Sequence, residues 1–221
     1  SGNVSLGLHA VTILGVNTNQ SQQCSLQAEA IDKIYVHDDQ VGPFARMEFN
    51  GSNRLSTSWG GNCEAEPRFL AIPLTSKIRI DFIQVYKVCI DLKNLLDSVL
   101  KYPGTTPTLK APLTFECHLS SINEMKQLVL ENTGIDSVDR SDFLQRNHPK
   151  HIWRIAIVSG DKWFEIGLDA TDIDQGDFFS FSLTNSVLFR DYFKLCDKIA
   201  QAKPDIVKSQ HTTGILRKLI S

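Results

Sequence analysis

The sequence has no apolar run of the ~18 residues that a membrane-spanning helix needs. Its longest apolar stretch, Ile78 to Val88, is interrupted by Arg79, Asp81, Gln84 and Lys87, so no transmembrane segment is expected. Cysteine is scarce: the chain has five, Cys24, Cys63, Cys89, Cys117 and Cys196. The number is odd and no two form a CxxC pair, which argues against a disulfide framework or a zinc site and for buried free thiols in a reducing, intracellular compartment, cytoplasmic or nuclear. A charge excess is also missing. There are 23 Lys and Arg against 25 Asp and Glu, a net charge of −2. Binders of polyanions and anionic membranes carry a clear basic excess, so that class is disfavoured. The start, Ser1-Gly2, lacks the basic and apolar regions of a signal peptide and reads as a cleaved-tag scar, so the chain is expected to be a domain fragment of a longer protein.

What is present describes a folded chain. Its 221 residues are 42% hydrophobic, 22% charged and 9% aromatic. That composition excludes disorder, collagen and coiled coil, and the length fits one large or two small domains. Strands are expected over 4–16, 26–36, 44–49, 54–59, 69–74 and 78–86, from alternation and β-branching. In Phe44–Phe49 the inward residues are expected to be Phe44, Met47 and Phe49. Asn50-Gly51 is a hairpin signal, and His37-Asp38-Asp39 reads as a turn.

The period then changes. Ile90, Leu92, Leu95, Leu96, Val99 and Leu100 repeat as a helix, which Tyr102-Pro103-Gly104 stops. Residues 103–112 hold three prolines, Pro103, Pro107 and Pro112, and read as a linker. A strand over Leu113–Leu119 leads into a capping box, Ser121 with Glu124, opening a helix that Gly134 is expected to end. Asp136 to Lys150 reads as an exposed charged stretch. Ile152–Val158, the turn Ser159-Gly160-Asp161 and Trp163–Leu168 form a hairpin, and Phe178–Leu183 is a further strand. Asn185-Ser186 is expected to cap a last helix whose apolar positions include Phe189, Tyr192, Phe193 and Cys196. Residues 204–221 read as a partly ordered tail.

The fold class expected is therefore α+β: mainly antiparallel sheet, as a sandwich or small barrels, with amphipathic helices closing each module. One division is 1–102, a 103–112 linker, 113–203 and a 204–221 tail. The alternative is a single module whose closing strand and helix follow the linker.

Catalytic and cofactor signatures are sparse. There is no GxxxxGK[ST], no GxGxxG between strand and helix, no HExxH and no GxSxG. The glycines of Trp59-Gly60-Gly61-Asn62 read as a hairpin turn. His148 and His151 flank Pro149 and do not share a helix face. Asp169, Asp172, Asp174 and Asp177 form an acidic loop, but no EF-hand register fits: with Asp172 and Asp174 at positions one and three, Gly176 arrives one residue early. Cys117 and His118 are neighbours in a strand and point to opposite faces. No cofactor or metal is expected. Arg140, Arg146, His148, Lys150, His151 and Arg154 form a basic cluster beside Trp153, but Asp136, Asp139 and Asp142 interleave with it.

Two resemblances follow from these segments. Gly42-Pro43-Phe44-Ala45-Arg46-Met47-Glu48-Phe49-Asn50-Gly51, followed by Ile78-Arg79-Ile80-Asp81-Phe82, resembles the middle of a C2 domain. His37-Asp38-Asp39 is the only trace of a calcium loop, so the resemblance implies a calcium-independent domain. The strand Phe178–Leu183 running into the Ser186–Ala202 helix, and Leu113–Leu119 running into Ser121–Glu131, resemble the endings of pleckstrin-homology-like modules and polo boxes. Two such endings imply a tandem of the kind found in some histone-binding and scaffold proteins.

Together these readings lead to a non-enzymatic protein-interaction module, a scaffold or adaptor, that takes a protein or peptide partner at a sheet edge or in a groove between sheet and helix. The candidate contact residues are Trp59, Arg54, Arg146, Lys150 and Arg154. The alternatives are an enzyme with a scattered active site and a nucleic-acid binder using Arg140 to Arg154.

Overall fold

Alternating apolar residues build two antiparallel sheets, as the α+β reading expects. The computed structural model describes residues 7–18, 31–50, 54–58, 63–101, 109, 113–132, 134–172 and 178–220. The chain divides into two compact units, one of Ser1–Gln22 and Gln27–Pro73, the other of Gln23–Leu26 and Leu74–Ser221. The division therefore falls at residues 73 and 74, and not at the proline-rich 103–112. The reason lies in packing: the helix assigned by sequence to the first module shares its core with the strands beyond the prolines.

The first unit is a meander, β1 (Thr12–Thr18), β2 (Ile31–Asp38), β3 (Gly42–Phe49), β4 (Leu55–Thr57) and β5 (Glu64–Ala65), in that order across the sheet. Val36, Ala45, Met47 and Leu55 are its buried centre. The expected inward Phe44 and Phe49 are instead exposed, Phe44 by 71%. Phe44 has φ 63°, and β3 uses an extra residue between its partners Gly42 and Ala45. That left-handed residue resets the alternation, so Ala45 and Met47 turn inward. Residues 69–74 form no strand.

In the second unit, the expected strand over 78–86 is mostly helix. Helix α1 (Phe82–Leu100) begins at Asp81, whose carboxylate accepts the Gln84 amide at 2.8 Å. Val85, Val88, Cys89, Leu92, Leu95, Leu96 and Val99 recur three and four residues apart and are buried, which is helical period and not strand period. Strand β6 (Thr114–Ser121) leads into α2 (Ile122–Glu131), and the capping box forms in both directions. Gly134 does not end this helix. Asn132 does, in extended conformation, and its side-chain oxygen accepts the Gly134 amide. The charged stretch then contains α3 (Ser137–Gln145), capped by Asp136, with Phe143 buried.

The hairpin of β7 (His151–Ser159) and β8 (Lys162–Asp169) forms as expected, with Gly160 left-handed at its turn, φ 63°. β9 (Phe179–Thr184) completes the sheet in the order β6-β7-β8-β9. α4 (Leu188–Ala202) starts at Val187 without a side-chain cap. Asn185 is used elsewhere: it accepts the Trp163 amide and donates to the Asp161 carbonyl, pinning the β8 hairpin. The expected tail is structured. A 3-10 turn at Pro204–Ile206 precedes α5 (Thr212–Ile220), which buries Ile215, Leu216 and Leu219.

Alternation sorts the second sheet into two faces. Phe115, Trp153, Ile155, Ile157, Phe164 and Ile166 share a core with residues of α1, α4 and α5. Ile152, Phe181 and Leu183 pack with Met125 and Val129 of α2 and Phe143 of α3. Each fully buried large apolar side chain contributes about 1.5–3 kcal/mol. The sheet is thus the middle of three layers. Trp153 fastens the α1 layer to it by donating its indole N–H to the Ile80 carbonyl at 2.9 Å.

Candidate partner-binding surface

In the first unit one face of the sheet is apolar and the other is charged. On the charged face Glu48 meets Lys33 at 3.4 Å and Arg46 at 3.1 Å. Arg54, a sequence candidate, is held by Glu64 at 3.2 Å. Trp59 lies outside the described residues, as do Gly60, Gly61 and Asn62.

The edge of this sheet offers something else. β1 pairs only with β2 among the described residues. Its sequence, Thr-Ile-Leu-Gly-Val-Asn-Thr, has no charge and no proline. Ile13, Leu14 and Val16 are exposed by 44%, 48% and 52%. Proteins commonly guard free edges with lysine, proline or very short strands. Here the described strand has two register shifts, one from the extra residue Leu14 between the partners Ile13 and Gly15 and one between Asn17 and Thr18. An uncharged seven-residue segment was the available sequence signal, but it says nothing about where in the sheet the strand will lie.

His9, Asp38 and Asp39 bring three potential ligand atoms within 4.8 Å of one another. Asp38 is already occupied by the chain itself. One carboxylate oxygen accepts the Gln40 and Val41 amides at 2.7 and 3.1 Å, and the other lies 3.0 Å from His9 Nε2. Burial raises the Asp38 pKa, but those two amides and His9 outweigh it and hold the carboxyl below its usual range. This buried acid fixes the β2–β3 turn.

Most basic residues of the second unit's cluster are engaged within the chain. Arg146 forms an ion pair with Asp142 at 2.7 Å, and Arg140 donates to the Ile135 carbonyl. His148 lies 2.8 Å from the Phe143 carbonyl and packs on the Phe143 and Phe181 rings. Lys150 is exposed. Arg154 is drawn onto the sheet, where Nε donates to Glu165 at 2.5 Å and a terminal nitrogen reaches Ser120 at 3.5 Å. Trp153 faces the other way, into the core. Of the sequence candidates, Arg54 belongs to the first unit, and in the second Arg146 and Arg154 are each engaged by an acid of the chain while Lys150 is exposed.

Cys89 and Cys196 are buried, and Cys63 and Cys117 are partly buried. Burial pushes the Cys117 thiol up to about 11 and the Cys196 thiol up to about 12, so both stay protonated and poorly nucleophilic near neutral pH. A shallow, open depression runs along α3, lined by Ser137, Val138, Ser141, Asp142 and Gln145. Its one titratable group, Asp142, is the partner of Arg146. No helix among the described residues is long and apolar enough to cross a membrane.

The helix expected near Ser186–Ala202 forms as α4, and its exposed side carries cations that are not among the sequence candidates. Arg190, Lys194 and Lys198 follow one another every four residues along its exposed side, a spacing readable from the sequence once the helix is recognised. No family model, no curated protein and no solved structure matches this chain.

Proposed function

We propose that this chain is a protein-interaction module of the scaffold or adaptor kind, binding a partner peptide in extended conformation along the β1 edge. The observation that carries the reading is the uncharged, apolar and exposed edge formed by Ile13, Leu14 and Val16. A peptide added there satisfies the β1 backbone donors and acceptors that have no strand partner among the described residues, while alternate side chains meet the exposed aliphatic residues. The pleckstrin-homology-like resemblance belongs to the same proposal. It is supported by β9 running into α4 across one face of an antiparallel sheet. An intracellular setting is proposed too, in keeping with the odd cysteine count and the lack of a CxxC pair.

The test is selection from a displayed library of unstructured peptides against the full chain, followed by titration of the enriched sequences. Enriched β-prone peptides should lose at least about tenfold in affinity, roughly 1.4 kcal/mol, to a Val16→Lys variant of unchanged melting temperature. Absence of enrichment, or equal binding by the variant, would overturn the reading.

A further inference from the structure

Charge is unevenly distributed over the second unit. Residues 113–187 carry six Lys and Arg against twelve Asp and Glu, whereas 188–220 carry seven against three. The fold places helices from the two stretches on opposite faces of one sheet, α2 and α3 on one side and α4 with α5 on the other. The molecule's near-zero total thus hides a basic helical layer.

Within that layer α4 turns Phe189, Phe193, Cys196 and Ala200 toward the core, and Arg190, Lys194 and Lys198 toward solvent. Four residues of helix advance about 6 Å, so the three cations form a row with that repeat. α5 packs beside α4 and exposes Arg217. Arg190, Lys198 and Arg217 have no side-chain partner among the described residues. The three acids of the stretch leave most of this charge uncompensated. Asp191 is paired with Lys194 at 3.1 Å, Asp197 is buried and accepts the Gln201 amide, and only Asp205 remains exposed without an assigned partner. Like charges gathered on one layer repel each other, and a ligand of opposite sign relieves that repulsion.

We infer that the outer surface of α4 and α5 docks an extended acidic peptide segment of a protein partner, with carboxylates on alternate residues meeting Arg190, Lys194 and Lys198. Alternate side chains of an extended chain lie about 6.6 Å apart on one side, close to the repeat of the cations. A nucleic acid is the poorer fit. Its uniform charge continues past a patch this small, toward a sheet and helices with twice as many acids as bases, and the whole chain is net negative. This surface is built from the second unit and the β1 edge from the first, and each is tested by its own variants, so either can fail without the other.

The experiment is fluorescence anisotropy of the full chain with a labelled peptide of alternating Glu and Ser, at low salt and at about 0.15 M salt. The peptide should bind at low salt, weaken as salt rises, and lose about tenfold in affinity to an Arg190→Glu/Lys198→Glu variant of unchanged melting temperature. Arg190→Gln/Lys198→Gln, which avoids new repulsion, should give a smaller loss, and Val16→Lys should leave this binding unchanged. The inference is overturned if the glutamate peptide fails to bind at low salt, if a Gln-Ser peptide binds equally, if charge reversal changes nothing, or if a single-stranded oligonucleotide of equal charge binds more tightly through the same residues.

Discussion

Thr212 donates its hydroxyl to a carboxylate oxygen of Asp91 at 2.9 Å, joining the start of α5 to the middle of α1 across 121 residues of sequence. The same carboxylate accepts the amides of Lys208, at 3.0 Å to each oxygen, and Ser209, at 2.8 Å. Asp91 is fully buried. Among the described residues its oxygens meet backbone N–H groups and a hydroxyl, and no salt bridge to a cation. The segment before α5 has amides with no helical acceptor, and this side chain supplies one from another element.

Asp91→Asn keeps the shape but replaces one acceptor oxygen with a donor facing backbone N–H groups. Losing a charged acceptor that leaves buried donors unpaired costs about 3 kcal/mol. Thr212→Val removes one hydrogen bond and should cost about 1 kcal/mol. Urea unfolding measures both. Limited trypsin digestion should also cut Asp91→Asn faster after Lys208 and Arg217. Equal stability of Asp91→Asn and the parent would disprove the anchoring role.

The Arg154–Glu165 pair makes the opposite case, a cation and an anion drawn onto the sheet together. Their side chains are 15% and 9% exposed, 2.5 Å apart. Glu165→Ala leaves the guanidinium largely buried with Ser120 as its hydrogen-bond partner and Glu124 as the more distant acid, and should cost about 3–4 kcal/mol. Arg154→Met/Glu165→Leu removes both charges and should lie within about 1.5 kcal/mol of the parent. A thermodynamic cycle over the four proteins decides it: additive losses would mean the two groups do not depend on each other.

Gly167 and Phe181 set how closely the β8–β9 face can be packed. They are cross-strand partners, and a Cβ on Gly167 would lie 2.1 Å from the Phe181 ring. The ring has little room to retreat, because it is buried and packs edge-on against Phe143 with centroids 4.8 Å apart. Gly167→Ala should therefore cost about 1–3 kcal/mol by overpacking. In a Phe181→Ala background the same substitution meets open space and should cost far less. Calorimetric melting of the single and double variants tests this, and an equal cost in both backgrounds would rule the ring contact out.

These sites show which parts of the fold the sequence could disclose. Local signals came through. The Ser121/Glu124 box and the Gly160 turn depend on neighbours within a few residues, and both form. Long-range satisfaction did not. Residues 204–221 look like a tail because the groups that order them, above all Asp91, lie on another helix. Phe82–Val88 carries the β-branched residues of a strand, and only the span out to Val99 reveals the helical period. Phe44 failed for a different reason: one left-handed residue inverts the alternation after it. Residue type marks Arg146 and Arg154 as candidates but does not tell that each is held by an acid of the same chain. The β1 edge depends on strand order, which no single segment encodes.

Glu124 gives the clearest pH dependence. The Ser121 amide donates to its carboxylate at 2.7 Å. That bond, and then the Ser121 hydroxyl, hold the carboxyl below its usual range against a smaller opposing effect of burial, and Arg154 adds a further lowering. The folded pKa is thus below the unfolded value of about 4.3. The folded state binds fewer protons between the two values, so this contribution is fully present above about pH 4.3 and is lost as pH falls through the folded pKa. Glu124→Gln cannot titrate. The parent should be more stable than this variant near pH 6, and the gap should narrow steadily toward pH 3 as the parent's carboxylate takes up its proton. Urea melts across that range measure the gap directly. A gap that stays constant would mean that the capping box owes nothing to the charge of Glu124.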